Sequence, residues 1–116
     1  MSKLPVEYLK HIRDELAYIS ETSKNLTKDE FLQSETLKRS FTRSIEIIGE
    51  AVKNLPKDFR NEHSHIDWRS IAGMRDRLIH GYFGVDYDIV WDVVENEIPE
   101  LKIEIEKLIH ILGKQE

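Results

Sequence analysis

The residues best suited to chemistry lie in one short segment, residues 75–82, which reads RDRLIHGY. This segment brings together two guanidinium groups, a carboxylate, an imidazole and a phenol. Imidazole transfers protons near neutral pH, and a guanidinium can bind a phosphate through two N–H groups and stabilise charge that develops on it. Arg75 and His80 are therefore the candidate catalytic residues, and the chemistry that they suit is proton transfer at a phosphate group.

The spacing of these two residues limits how they can cooperate. Arg75 and His80 are five positions apart, which is about 140° around an ideal helix, so their side chains would diverge on a continuous helix. A helix that ends near His80 would let the imidazole turn back, and a two-fold dimer could supply the complementary histidine from a second chain. The same residue types also have an ordinary structural use, because cations at a helix C-terminus complement the helix dipole. From the residue types alone, a catalytic role and this structural role are equally supported.

The rest of the chain has the helical periodicity of a scaffold. Apolar residues recur every three or four positions and predict helices over 4–21, 27–33, 35–55 and 68–79. A further apolar stripe after Asp86 predicts a long helical segment, which Pro99 should kink or split in two. Residues 56–66 are polar and are expected to be irregular apart from about one helical turn. The pattern predicts an all-α, antiparallel bundle of four or five helices in a single domain, residues 1–116.

Several residues mark where these helices should begin and end. Thr27 and Glu30 have the spacing of a capping box, and Asp67 and Asp86 are good N-caps. Gly81 is available as a left-handed C-cap after the 68–79 helix. On the 35–55 helix, the charged side chains form a solvated face, or else Arg43 or Glu46 braces residues 75–82 from the side. These two interpretations have equal weight.

Composition excludes several classes of protein. The chain has no cysteine, which rules out disulfides and thiolate chemistry and fits a reducing cytoplasm. The N-terminus is charged, and no apolar run approaches the ~20 residues that a membrane span needs, so we expect a cytoplasmic protein without a membrane partner. The net charge of −5 argues against a general nucleic-acid coat protein. Residues 86–116 hold nine acidic and three basic residues, a net charge of −6, which leaves +1 for residues 1–85.

A metal site is not expected. Residues 63–67, HSHID, contain potential ligands, but their spacing suits a helix poorly and no fourth ligand is apparent. A polar surface loop is the favoured interpretation of this run. The sequence has no glycine-rich phosphate loop and none of the common metalloprotease or hydrolase motifs, so no cofactor is expected either.

The segment resembles the signature of the HEPN (higher eukaryotes and prokaryotes nucleotide-binding) superfamily, which is an arginine, a polar residue, several further residues and a histidine. Arg75, Asp76 and His80 fill these positions, and the H-x-Y form of residues 80–82 resembles the HepT-like branch. The flanking segments agree with this resemblance, and they are residues 43–51, residues 82–86 with Trp91 downstream, and residues 97–99.

The resemblance implies a metal-independent ribonuclease that acts as the toxin of a toxin–antitoxin pair. Its partners would be RNA, a second copy of the chain in a two-fold homodimer or larger assembly, and a minimal nucleotidyltransferase (MNT) antitoxin. Arg75 and His80 would be catalytic, Asp76 would orient one of them, and Arg77 would add a weaker phosphate contact. In this branch the tyrosine of H-x-Y, here Tyr82, can be adenylylated by the antitoxin.

Two other functions remain open at this point. The chain could be a non-catalytic helical module that binds a nucleotide or positions a substrate for its nucleotidyltransferase, because a fold does not fix an activity. It could also be a purely structural helical dimer, although this would leave the polar segment unexplained. The presence of both Arg75 and His80 favours the ribonuclease.

Overall fold

The structure, a computed structural model, describes residues 4–80 and 84–114, and it is all-α there, as predicted. The four longer helices are α1 (Pro5–Ser23), α3 (Glu35–Lys53), α7 (Tyr87–Asn96) and α8 (Ile98–Lys114). The four shorter helices are α2 (Lys28–Gln33), α4 (Lys57–Glu62), α5 (Trp68–Ala72) and α6 (Met74–Leu78). Within these ranges the β-structure is limited to one isolated antiparallel bridge, which joins Ile79 and Val85. No helix in the described ranges combines the length and apolarity needed to cross a membrane.

One apolar core joins the longer helices. Helix α1 lies mainly against α3 and α8, while α5 and α6 pack on α3. Each helix buries the residues that recur at three- and four-residue spacing, because this spacing places them on one face. The fully buried residues of α1 and α3 include Leu9, Ile12, Leu16, Ile19, Phe41, Ile45, Ile48 and Val52. Helix α2 closes one end of the core, where Phe31 stacks on Phe41 with ring centroids 5.5 Å apart.

The predicted helix starts are confirmed. Thr27 and Glu30 form both hydrogen bonds of a capping box at the start of α2. Two hydrogen bonds from Thr27, one from its backbone and one from its side chain, lower the pKa of the Glu30 carboxyl. The side chain of Asp67 accepts a hydrogen bond from the Ser70 N–H, and that of Asp86 accepts two from the first turn of α7. Pro99 splits the last segment in two and lies in the first turn of α8, where its missing N–H breaks no helical hydrogen bond.

The continuous helix predicted over 68–79 is wrong. The chain breaks it at Gly73, and α5 and α6 are separate short helices. Glycine weakens a helix because it has the most backbone freedom to lose. Helix α6 then ends at Leu78, because Ile79 adopts extended backbone (φ −106°, ψ 114°) and pairs with Val85. The C-cap predicted at Gly81 lies outside the described residues.

Two smaller boundaries also differ from expectation. Helix α3 ends at Lys53 rather than at residue 55, and the polar stretch 56–66 contains a full short helix, α4. Pro56 is the N-cap of α4, since its fixed φ suits a helix start. The chain is therefore more finely divided than the apolar pattern suggests, although the four longer helices carry most of the packing.

The close approach of α3 to α5 places the segment that bears the candidate catalytic residues. Gly49 of α3 is buried, and a Cβ atom built on it would lie 3.3 Å from the carbonyl oxygen of Ala72. That oxygen belongs to backbone at the end of α5, so it cannot rotate away as a side chain would. A larger residue at this position must push α5 and α6 away from α3.

We expect Gly49→Val to lower the free energy of unfolding by about 1–3 kcal/mol, because it overpacks a rigid contact. Urea denaturation followed by circular dichroism measures this change. Gly113→Val is the matched control, since a Cβ atom at Gly113 meets nothing within 4 Å. Equal stability of the two variants would contradict the assigned contact.

Candidate active site

Helix α6 presents one face to the core and another to the surface. Met74 and Leu78, one helical turn apart, are buried and anchor the helix. Residues 75–77 lie on the other side, where all three side chains are at least partly exposed. The short helix therefore offers two guanidinium groups and a carboxylate to solvent from a fixed base.

Arg75 is braced from the neighbouring long helix. Its Nε donates a hydrogen bond of 3.4 Å to Oε2 of Glu46 on α3, and its Nη1 lies 3.6 Å from Oδ1 of Asp76. The contact confirms that Glu46, rather than Arg43, braces this segment from α3. The hydrogen bond to Glu46 uses Nε, and the side chain is 42% exposed, so Nη groups remain accessible to an anion. Asp76 is a neighbour of Arg75 and is largely exposed.

His80 is held by backbone rather than by a helix. Its N–H donates a hydrogen bond of 2.8 Å to the carbonyl oxygen of Gly84, and the Asp86 N–H donates one of 2.7 Å to the carbonyl oxygen of Leu78. These bonds flank the Ile79–Val85 bridge. Gly84 has φ +85°, a conformation that favours glycine. The chain reversal between α6 and α7 thus fixes the backbone from which the imidazole projects.

The imidazole of His80 faces the carboxylate of Asp86. His80 Nε2 lies 3.9 Å from Asp86 Oδ2, while Oδ1 of the same carboxylate caps α7. Asp86 is therefore anchored by the helix start and is placed to orient the imidazole. His80 remains about half exposed at the edge of a cavity that Leu32, Tyr87 and Asp88 also line.

The sequence identified Asp86 only as a cap and missed its contact with His80. The two residues are six positions apart, and the contact exists because the chain reverses between them. An N-capping aspartate soon after a histidine and a glycine is the signal that could have suggested it. Asp86 joins the candidate site on this geometry.

Arg77 has a carboxylate partner of its own. Its two Nη atoms donate to both oxygens of Glu97, at 3.1 and 2.7 Å. The hydrogen bonds that Arg77 donates to the Glu97 carboxylate raise the pKa of the guanidinium above its usual value. Glu97 lies between α7 and α8, so the pair ties α6 to the junction of these helices. A phosphate contact by Arg77 would have to compete with this bidentate pair.

The candidate site thus contains a guanidinium and an imidazole, each beside a different carboxylate. Arg75 is held towards Glu46 on α3, His80 is held towards Asp86 before α7, and no hydrogen bond joins Arg75 to His80. Tyr82 lies outside the described residues. Such an arrangement can bind a phosphate with one group and move a proton with the other.

Residues 63–67 form a turn between α4 and α5, in agreement with the expected polar surface loop. The ring of His63 packs on Phe59, with centroids 4.6 Å apart, and its carbonyl oxygen accepts a hydrogen bond from Trp68 Nε1. Within residues 4–80 and 84–114, no group of three or more His, Asp or Glu side chains is placed to hold a metal ion.

Comparison with known proteins identifies related chains over most of this length. The family model described as "Ribonuclease HepT-like" matches residues 12–108. A protein of Caldanaerobacter subterraneus subsp. tengcongensis named "Putative RNase" is 50% identical over 107 residues, which cover 92% of this chain and 96% of the relative. A Thermococcus cleftensis protein named "Probable ribonuclease HepT" is 42% identical over 108 residues, 93% of this chain and 98% of the relative. No solved structure gives a significant match.

We expect the Arg77–Glu97 pair to contribute a coupling free energy of about 1 kcal/mol, since it is bidentate but partly exposed. A double-mutant cycle with Arg77→Gln, Glu97→Gln and the combined variant measures this value by chemical denaturation. The Lys102–Glu106 pair on α8 is the control, because it is equally exposed but lacks the two parallel hydrogen bonds of an arginine, and it should give about 0.3–0.5 kcal/mol. A coupling no larger than that of the control would refute a structural role for the pair.

Proposed function

The chain belongs to the ribonuclease HepT-like family, and from this premise we propose that it is an endoribonuclease whose active site contains Arg75 and His80. The observation that carries the proposal is their geometry: a partly exposed guanidinium and a partly exposed imidazole, each braced by its own carboxylate. RNA supplies the phosphodiester on which such a pair can act.

The reaction that we propose is transesterification by the neighbouring 2′-hydroxyl, without a metal. The 2′-oxygen attacks the phosphorus as its proton passes to a neutral His80 imidazole. The bond from phosphorus to the 5′-oxygen breaks, and that oxygen takes a proton from a protonated imidazole. The products are a 2′,3′-cyclic phosphate and a 5′-hydroxyl. Arg75 binds the non-bridging oxygens and stabilises the charge that grows on them in the transition state.

The carboxylates position these two groups. Asp86 would keep the imidazole oriented towards the phosphate and stabilise its protonated form, while Glu46 would hold the Arg75 side chain against α3. Asp76 can assist Arg75 from the adjacent position. Arg77 is a supporting residue through its tie to Glu97, and a direct phosphate contact would be secondary.

We propose that the working site is shared by two chains of a two-fold dimer. Arg75 and His80 of one chain are held towards different carboxylates, which supports a phosphate bound between the guanidinium of one chain and the imidazole of its partner. Partly exposed apolar side chains lie close in sequence to the two carboxylates that contact Arg75 and His80: Ile47 adjoins Glu46, and Ile89 follows Asp86 by three positions. Val93, one helical turn after Ile89, is buried in the core and is not part of this surface.

We expect His80→Ala and Arg75→Ala each to lower the rate of RNA cleavage by about 10²–10³-fold, because each removes one transition-state contact. Cleavage of a labelled oligoribonucleotide by the wild-type protein should be unaffected by excess chelator and should leave a 2′,3′-cyclic phosphate end. Inhibition by the chelator, or full activity of His80→Ala, would sink the mechanism.

Mixing the two inactive variants tests the shared site in the same assay. A dimer of one Arg75→Ala chain and one His80→Ala chain has one complete site if the groups come from different chains, and none if they come from the same chain. Refolding the variants together should therefore restore part of the activity, whereas each variant refolded alone stays inactive. Absence of rescue, with mixed dimers verified by mass spectrometry, would place the site within one chain.

We further propose that the ribonuclease is the toxin of a cytoplasmic toxin–antitoxin pair, whose antitoxin is a nucleotidyltransferase of the minimal (MNT) type. Support comes from the family, and from the position of Tyr82 two residues after His80. An AMP group on this phenol would add a negative charge and bulk beside the imidazole. It would thereby repel the RNA backbone and block the site.

With an MNT-type antitoxin and ATP present, Tyr82 should gain the mass of AMP, and RNA cleavage should stop. Tyr82→Phe should gain no mass and stay active under the same conditions, because it lacks the accepting hydroxyl. Tyr87→Phe serves as the control and should behave as the wild type does. Modification that persists in Tyr82→Phe would assign the acceptor to another residue.

A further inference from the structure

A second concave surface lies apart from Arg75 and His80, where α4 turns into α5. We call it the α4–α5 groove and define it by its polar lining, which is Lys57, Arg60, Asn61, Ser64, His65, Asp67 and Arg69. No step of the proposed reaction uses these residues. Any role of this groove is therefore separate from the chemical step.

The cations of this groove differ from most others in the protein. Lys57, Arg60 and Arg69 make no ion pair within the described residues, whereas Arg75 and Arg77 are both paired with carboxylates. The carboxylate that lines the groove, Asp67, accepts a hydrogen bond from the Ser70 N–H as the cap of α5. In a chain with a net charge of −5, three cations without a carboxylate partner in one concavity make the local potential more positive than the net charge suggests.

Arg60 has a hydrogen-bond donor beside this groove that has no partner within the described part of the chain. Its Nε is buried and has no hydrogen-bond acceptor among the described residues. A buried donor without an acceptor lowers stability, because it loses its hydration without compensation. A small swing of the side chain towards an anion in the groove would give the guanidinium an acceptor, and Ser64 and Asn61 could donate further hydrogen bonds.

The groove continues towards the candidate active site. A neighbouring concavity is lined by Asp67, Arg69, Ser70, Gly73 and Arg77, so Arg69 belongs to both surfaces. Arg77 lies two positions after Arg75 on α6. Cationic side chains therefore follow one another along the surface from α4 to the helix that carries Arg75. A chain of regularly spaced anions fits this arrangement better than a single small ion does.

We propose that the α4–α5 groove binds backbone phosphates of the RNA strand that flank the scissile phosphate. This inference rests on the proposed ribonuclease function and deepens it by adding a binding site remote from the reacting bond. Contacts of this kind carry little sequence information and strengthen with each phosphate neutralised. They act mainly on substrate binding, and their effect grows with the length of the RNA.

The test compares two double variants that remove the same charge. Lys57→Ala/Arg69→Ala alters exposed residues of the groove and leaves Arg60, which is partly buried, in place. Lys107→Ala/Lys114→Ala is the control, because these exposed lysines on α8 also make no ion pair within the described residues. Circular dichroism establishes that both variants fold.

Steady-state cleavage of a dinucleotide and of a twelve-residue oligoribonucleotide gives the first readout. For the groove variant, the KM of the longer substrate should rise about tenfold or more, and the ratio of the two KM values should change in favour of the dinucleotide. The control variant should keep the wild-type ratio. An unchanged ratio in the groove variant would overturn the inference and leave the ribonuclease function intact.

Equilibrium binding separates this inference from the catalytic proposal. With His80→Ala as background, the slope of log K against log salt concentration should become shallower by about 1–1.5 when two phosphate contacts are lost. Weaker binding by the groove variant, without cleavage by the wild-type protein, would support the groove and refute the ribonuclease. Unchanged RNA binding with weaker binding of the nucleotidyltransferase partner would overturn the inference and make the groove a protein-docking surface.

Discussion

The candidate site depends on the chain reversal between α6 and α7. Leu78 and Val90 are fully buried on either side of it, so the two helices are fixed to the core. Between them, the Asp86 N–H bonds to Leu78 and the His80 N–H bonds to Gly84. Asp86 then serves as both helix cap and neighbour of the imidazole. The position of His80, the candidate proton-transfer group, therefore follows from backbone hydrogen bonds and core packing. A disordered C-terminal end of α6 would not hold the imidazole in one place.

The basic side chains of α6 and of the α4–α5 groove are of two kinds: some pair with a carboxylate from another part of the chain, and others have no such pair among the residues that the structure describes. On α6, Arg75 is braced by Glu46 from α3, and Arg77 is held by Glu97 between α7 and α8. Such partly exposed pairs contribute about 0–1 kcal/mol each, so their value lies more in geometry than in stability. The cations of the α4–α5 groove have no such partner within the described ranges. In an acidic protein, paired cations are held in one orientation, while unpaired ones are free to neutralise a ligand.

The sequence predicts the longer helices and α2 well, and the other short helices poorly. The all-α class, the capping residues and the split at Pro99 follow from local preferences that packing reinforces. The break at Gly73 does not, because an isolated glycine weakens a helix without necessarily ending it. The extended conformation of Ile79 does not either, because it depends on pairing with Val85. In the site, Arg75 and His80 were identifiable by residue type, whereas Asp86 became a neighbour of His80 only through the chain reversal.

On an ideal helix the side chains of Arg75 and His80 would diverge, but this expectation does not apply to the observed structure. Because α6 ends at Leu78, the angle between the two residues is no longer set by helical periodicity; it is set by Glu46 on one side and Asp86 on the other. Both contacts are long, at 3.4 and 3.9 Å, so an incoming phosphate can compete with either carboxylate for Arg75 or His80. A phosphorane-like transition state carries more negative charge than the ground-state phosphodiester. In the proposed reaction it would therefore attract the Arg75 guanidinium more strongly than the substrate does, and such differential attraction lowers a reaction barrier.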